Sequence, residues 1–323
     1  MKKSIIPIVI FAYSRPTHLQ RLLACLQENN VPLIYAFADG PKSPALAERV
    51  SEVRSILHAI NWCEFHLVER VENLGLDTSI MKGVTEIFQK YDTIIVFEDD
   101  LVCVPGTYQY MCAALEHYKN DLRVMSITGW THPRVTPSSV NNLPYFDGRS
   151  ESLCWGSWAR AWEGMEQDSI SLLEKCRKMG MDIYKYGADL PVAAHQQVKH
   201  WDVRWNYHHI LNGGLCLRPP HSMVNHAGFD ILGTNATFPT DLALDVLEPC
   251  PPIPQAWPEA TENLECSALW QKEYGGHPSI FKQFTDLLTA FYSRLLRTRM
   301  RNFLLIVVRT LKGLLRKLGV ETG

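Results

Sequence analysis

The 323-residue chain contains no Cys-x-x-Cys pair, no internal repeat, no low-complexity tract and almost no net charge, at a formal value of -2. Nor does any stretch reach the roughly 20 apolar residues that a membrane span requires. Each absence removes a class of protein. Nine cysteines without paired spacing make neither a zinc ribbon nor a disulfide framework, and they read as reduced thiols of a cytosolic protein. Near-neutrality argues against a global basic field for nucleic acid and against an acidic, disordered chain. Glycine is missing where it would matter most. The first apolar run leads into AYSRPTHL, with neither a GxGxxG fingerprint for a dinucleotide nor a Gly-rich phosphate loop. The N-terminal Met-Lys-Lys before an apolar run imitates an export signal. That run is short, carries Pro7 and has no small-residue cleavage site, so a first core strand is expected instead.

At 46% hydrophobic and 20% charged residues, the composition is that of an ordinary globular protein, long enough for one large α/β domain. Residues 5–13 and 93–97 are apolar runs, as expected of strands buried on both faces, and residues 33–38, 65–68 and 124–128 read as further strands. Between them lie helical patterns. Thr17 is expected to cap a helix carrying Leu19, Leu22, Leu23 and Leu26, which Asn29-Asn30 ends. Residues 45–59 and 77–91 follow, and Pro105 opens a helix running to about Tyr118. This alternation predicts an α/β fold, a mostly parallel sheet flanked by helices. Residues 130–150, rich in Pro, Ser and Asn, read as a loop, and residues 251–258 as a linker.

Ligands of such sheets bind beyond the carboxyl ends of the strands. Three of those ends carry polar clusters, namely Tyr13-Ser14-Arg15, Asp39-Gly40 and Glu98-Asp99-Asp100. Three adjacent carboxylates repel one another and favour a bound cation or partial protonation. Mg²⁺ or Mn²⁺, bridging one or two carboxylates to substrate phosphates, would relieve the repulsion. The alternative is a solvated strand-end turn.

The segment IIVFEDDLVCVPGTYQYM resembles the acidic motif of the GT-A glycosyltransferases related to eukaryotic N-acetylglucosaminyltransferase I, and of bacterial surface-polysaccharide sugar transferases. The resemblance covers most of residues 5–235. It implies a Rossmann-like GT-A domain and transfer of a sugar from a nucleotide-sugar, a UDP-sugar, to a glycan or glycolipid acceptor, with inversion. By the same resemblance Asp100 is the ligand of Mn²⁺ or Mg²⁺, while Glu98 and Asp99 face the ribose and donor sugar. Arg15 would lie near the base, where its alternative is a surface residue at a helix start. Asp39 would meet the base or ribose, or else serve only its Asp-Gly-Pro turn. CWGSWARAW resembles the family's Trp-rich stretch, which places Trp155 or Trp158 on the pocket wall and leaves Trp162 to the core. Asp202, in HWDVRWNYHHILNGG, matches the general base, with a helix cap or a pair with Arg204 as its alternatives. Glu151 and Asp230 stand next in line for that role. His226, beside Asn225, could touch the diphosphate or the metal. The family's Gly-Thr-His loop is here Gly233-Thr234-Asn235, a departure that affects this loop.

The implied organisation is a glycosyltransferase domain over residues 1–281, with a nucleotide-binding half (1–130), an acceptor half (131–250) and a linker region (251–281), and then a tail over residues 282–323. Two other functions use parts of the same pattern. A metal-dependent nucleotidyltransferase or phosphoesterase would use the carboxylates, and a non-catalytic sugar-binding protein would not need Asp202 together with the triplet. From Lys282 to Lys317 nine basic residues face one acid, Asp286, and alternate with apolar residues at helical spacing. Such a stretch suits the anionic, cytoplasmic face of a membrane; its alternative is a helix docked on the protein. Each basic residue near such a surface contributes about 1 kcal/mol, so a few contacts suffice for reversible attachment. Truncation after Lys282 is expected to move the protein from anionic vesicles to the supernatant in a low-salt co-sedimentation assay. A full-length chain that ignores the vesicles at low salt overturns the membrane assignment.

Overall fold

The computed structural model describes residues 5–165, 167–195, 201–226 and 247–277. These fall in one compact unit, Met1–Gly276, except for His277, which begins a second unit running to Gly323. The expected basic tail, residues 282–318, lies outside the described residues. Among the described residues, no helix is long and apolar enough to cross a membrane.

The chain opens with β1 (Ile8–Ala12), α1 (Pro16–Glu28), β2 (Leu33–Ala38), α2 (Ala47–His58), β3 (Glu64–Glu69), α3 (Leu76–Phe88) and β4 (Thr93–Glu98). There follow β5 (Leu101–Cys103), α4 (Thr107–Tyr118), β6 (Val124–Thr128), β7 (Tyr145–Asp147) and β8 (Trp155–Trp158). The last elements are α5 (Ala159–Trp162), α6 (Ser169–Lys178), α7 (Asp189–Ala194), α8 (Trp201–Asn212), β9 (Leu215–Arg218), β10 (Val224–His226) and α9 (Glu265–Tyr274). Eight strands form one sheet in the order β3-β2-β1-β4-β8-β6-β9-β7, and β10 pairs with β5 in a small antiparallel ribbon. The neighbours β3, β2, β1 and β4 run parallel; β8 enters antiparallel between β4 and β6, and β7 runs antiparallel at the far edge. The fold is therefore α/β, with a mostly parallel sheet flanked by helices.

Strand periodicity sorts the core into two layers. On β1, Ile8, Ile10 and Ala12 pack with Leu19, Leu22 and Leu26 of α1 on one face. Val9 and Phe11 pack with Ile80, Val84 and Ile87 of α3 on the other, together with Trp201 and Trp205 of α8. A third cluster joins Leu172, Leu173 and Cys176 of α6 to Tyr207 of α8 and Trp270 of α9.

Three local expectations are corrected. Thr17 does not cap α1, because Pro16 occupies its first turn and no side chain caps it. Pro105 precedes α4 instead of entering it, and Gly106 at φ 96° makes the left-handed step into the helix. Residues 130–150 are not wholly loop, since they hold β7 and a 3₁₀ turn at Ser138–Val140. Strand β7 escaped notice because its three residues are too few for a periodic signal.

Two polar anchors set the frame. Asn29 is buried where α1 ends. Its amide nitrogen donates to the Cys25 and Val104 carbonyls, at 2.8 and 3.1 Å, and its oxygen accepts from the Tyr108 amide at 3.1 Å. One side chain thus closes α1, holds the end of β5 and caps α4. At the far edge, Arg218 is 1% exposed. Its Nε donates to Asp147 at 2.8 Å and its Nη1 to Glu151 at 3.2 Å, while the Trp270 indole donates to the same Asp147 oxygen at 2.8 Å. Removing one partner of a buried ion pair leaves an uncompensated charge and costs about 3–5 kcal/mol. Arg218→Met is expected to lower the unfolding free energy by that amount in urea denaturation, whereas Lys90→Ala, at the exposed Lys90–Glu86 pair, changes it little. A loss below about 1 kcal/mol for Arg218→Met contradicts the anchoring role.

Candidate active site

The carboxyl ends of β1 and β4 are neighbours because the two strands pair in register, Phe11 opposite Glu98. The turn after β4 therefore lies against the turn after β1. The Asp99 amide donates to the Phe11 carbonyl at 3.1 Å, and the Tyr13 amide donates back to Asp99 Oδ2 at 2.9 Å. Arg15 donates to Asp100 Oδ2 through Nη1, and its Nε lies 3.7 Å from Asp99 Oδ1. From the other side His226, paired with Leu101 across the β10–β5 ribbon, brings Nε2 to 3.4 Å from Asp100 Oδ2.

The electrostatics follow from crowding. Burial pushes Glu98 well above the ordinary carboxylate range, and the charges of Asp100, Asp99 and Asp202 push it further. Burial also raises Asp99, to about 6, against the pull of Arg15. Burial works against the charge on Arg15, yet Asp99 and Asp100 outweigh it and leave the guanidinium more basic than usual. Burial lowers His226 in opposition to Asp100, which favours a neutral imidazole. His18 of α1 is buried, and its influence favours the ionised form of Asp99. Sequence reasoning passed His18 over, because a lone histidine in a helical pattern carries no motif.

The cluster is suited to a cation in one respect. Asp100 Oδ1 is buried with no hydrogen-bond partner, and a hard divalent ion with oxygen ligands would satisfy it. Among the described residues, however, no three His, Cys, Asp or Glu side chains are grouped to hold a metal by themselves. A cation here would depend on oxygens supplied by a substrate, as Mg²⁺ and Mn²⁺ do when they bridge carboxylates to phosphates.

Several expected roles change in the folded chain. Arg15 is turned into the acidic cluster. Asp39 is 5% exposed, and both its oxygens are taken by the backbone amides of Gly40, Leu74 and Gly75 at 2.9–3.1 Å. It ties the loop before α3 to the end of β2 and has little left for a ribose. Trp155 and Trp158 are 1% and 3% exposed and occupy opposite layers of the core. Trp155 packs on Trp162, Trp201 and Trp205 at centroid distances of 5.4–5.6 Å, so it is not a pocket wall. Asp230 and the Gly233-Thr234-Asn235 loop lie outside the described residues.

Asp202 stands in the first turn of α8. It lines a cavity of about 120 Å³ together with Trp130, Arg149, Ser150, Glu151 and Asn206. The cavity thus brings Asp202 and Glu151 together, while the charge of Asp202 is felt at Glu98. Trp130, Arg149, Ser150 and Asn206 escaped sequence reasoning. Arg218, an arginine ending the apolar strand LCLR, signals a buried ion pair, but not the cavity in front of it.

No family model matches the chain, and no curated protein matches it. Among solved structures, one similar chain is the mannosyltransferase PcManGT from Pyrobaculum calidifontis in complex with GDP-Man and Mn²⁺. It shares 13% identity over 58% of this chain and 52% of its own length, with a TM-score of 0.36. The present chain thus matches about half of that structure, at a level that carries no argument about chemistry.

A pH dependence follows from the raised carboxyls. Glu98 and Asp99 hold their protons more tightly in the metal-free fold than in the unfolded chain, where carboxyls titrate near ~4. Their stabilising contribution is present below that value and is lost as pH rises through the raised pKa of each group, about 6 for Asp99. A cation needs the ionised forms and opposes the loss. Mn²⁺ at about 100 times its Kd adds roughly 2.7 kcal/mol. It is therefore expected to raise Tm by several degrees at pH 8 and by much less at pH 5, and Asp100→Ala is expected to abolish the increment. A Mn²⁺ effect on Tm that is equal at the two pH values contradicts this account.

Proposed function

We propose that the chain is a metal-dependent glycosyltransferase that moves a sugar from a nucleotide-sugar, a UDP-sugar by the resemblance of its acidic motif, onto a glycan or glycolipid hydroxyl. The observation that carries this is the meeting of two carboxylate groups of different kinds. Glu98 and the buried Asp99 and Asp100 form an acidic cluster at a strand end, and Asp202, whose charge raises the pKa of Glu98, lines a cavity. The first suits a diphosphate with its cation and the second suits an acceptor. A divalent ion held by Asp100, with His226 beside it, would neutralise charge on the leaving diphosphate.

The remaining work belongs to side chains of this chain. Asp202 takes the proton from the acceptor hydroxyl. The acceptor oxygen forms a bond to the anomeric carbon, and the bond from that carbon to the phosphate oxygen breaks, its electron pair leaving with the nucleoside diphosphate. A direct displacement of this kind inverts the anomeric centre. Arg15 contributes a fixed positive charge beside Asp99 and Asp100 and favours the ionised form of Asp99 as the donor enters. The walls supplied by α8 and the 148–152 segment would hold the acceptor beside Asp202.

A panel of UDP- and GDP-sugars, assayed for donor hydrolysis and for transfer with and without Mn²⁺, tests the proposal. Turnover is expected with at least one donor and only with the cation. Asp202→Asn should lower kcat at least 100-fold while the donor KM stays near that of the parent. Glu151→Gln distinguishes the neighbouring carboxylate. If it collapses turnover while Asp202→Asn does not, the base is Glu151, and full activity in chelator removes the cation from the mechanism.

A further inference from the structure

We infer that the cavity beside Asp202 selects an uncharged, hydroxyl-bearing sugar ring as acceptor and rejects sugars that carry a carboxylate. This rests on the glycosyltransferase reading and deepens it by assigning the acceptor class. The cavity, about 120 Å³, is large enough to hold several waters, and hence one ring in their place. Two of its walls carry polar atoms that the protein itself does not use. Ser150 is 3% exposed and its Oγ has no hydrogen-bond partner; Asn206 is 6% exposed and its Oδ1 has none either. Leaving such groups unsatisfied costs about 1–3 kcal/mol each, and a ligand's hydroxyls would recover it. Their positions are fixed from behind. Asn206 is held on α8 by its own amide nitrogen donating to the Asp202 carbonyl at 3.0 Å. Ser150 sits between Arg149 and Glu151, both tied into ion pairs.

The charges around the cavity give the selection its sign. Two carboxylates, Asp202 and Glu151, line it. Among the described residues that line it, the cation Arg149 is already committed, because it makes a two-point pair with Asp189 at 2.7 and 3.1 Å and donates to the Tyr186 carbonyl at 2.7 Å. That guanidinium is further stacked over Trp270 and Tyr274, at 4.3 and 4.9 Å from their centroids. Arg218, behind Glu151, is spent on Asp147 and Glu151. His132 offers no compensating charge, because burial pushes its pKa down to about 4. Among the described residues, a ligand carboxylate would therefore meet two like charges and no uncommitted cation, whereas neutral hydroxyls meet acceptors and donors.

The test uses the full chain with Mn²⁺ and methyl hexosides as probes, each compared with its matched uronate, and reads binding by saturation-transfer NMR and by intrinsic tryptophan fluorescence. At least one neutral hexoside is expected to bind at pH 7, with its uronate at least tenfold weaker. Ser150→Ala and Asn206→Leu should each weaken the hexoside at least fivefold, while Mn²⁺-dependent binding of free UDP or GDP stays unchanged. Glu151→Gln should narrow the gap between hexoside and uronate. Because Glu151 also pairs with Arg218, nucleotide binding serves as the check that this variant is folded. A uronate that binds as well as the hexoside, no hexoside binding at all, or unchanged hexoside binding in both variants overturns the inference. Donor hydrolysis measured on the same samples separates the two proposals. Selective hexoside binding without any metal-dependent donor hydrolysis upholds the cavity and removes the transfer reaction; donor hydrolysis without hexoside selectivity does the reverse.

Discussion

Three carboxylates placed one after another at the end of a buried strand are the constraint around which this fold is arranged. Repulsion and lost hydration both press Glu98 and Asp99 toward their protonated forms. The chain answers from three directions. The turn after β1 supplies the Tyr13 amide and the Arg15 guanidinium, α1 brings up His18, and the β10–β5 ribbon brings His226. The Tyr13 and Arg15 contacts depend on a sheet order that sets β1 beside β4, and that of His226 on the β10–β5 pairing. The compensation stops short of complete, since one Asp100 oxygen stays buried and unpaired. That residual demand for positive charge is the physical basis for assigning a cation and a diphosphate to this place.

The second half of the molecule is built around helix α8. Its apolar face enters the tryptophan-rich layer through Trp201 and Trp205, and its other side packs on α6 through Tyr207. A helix fixed on two sides holds the side chains of its first two turns in defined positions. Asp202 and Asn206, four residues apart, therefore face one cavity together. The opposite wall is held as firmly by Arg218, which draws β7, β9, α9 and the 148–152 segment onto one buried charge. Rigid walls and unused hydrogen-bonding capacity belong together in a binding site, because a group that could relax would find a partner within the protein.

Much of the architecture could be read directly from the order of residues. IVIFA, LIYAFA, TIIVF and VMSIT form strands because continuous β-branched and aromatic runs bury both faces of a sheet, and the helices between them follow their leucine and valine spacing. The acidic triplet stood out because three charges after such a run are costly without compensation. These are local signals, carried by neighbours in the chain, and so the sequence was sufficient for them.

What each polar residue does could not be read in that way. Arg15, Asp39 and the two tryptophans were assigned to a ligand from their positions in motifs, yet Arg15 turns to the acidic cluster, Asp39 to three backbone amides, and Trp155 and Trp158 to the core. Likewise nothing near Arg218, Ser150 or Asn206 in the chain announces a shared cavity, since their partners lie far away along it, as Arg218 shows with Asp147 71 residues distant. A strand or helix reports itself through a period of 2 or 3.6 residues. A hydrogen bond or an ion pair has no period, and its partner is settled only when sheet order and helix packing bring distant groups together and take water away from them.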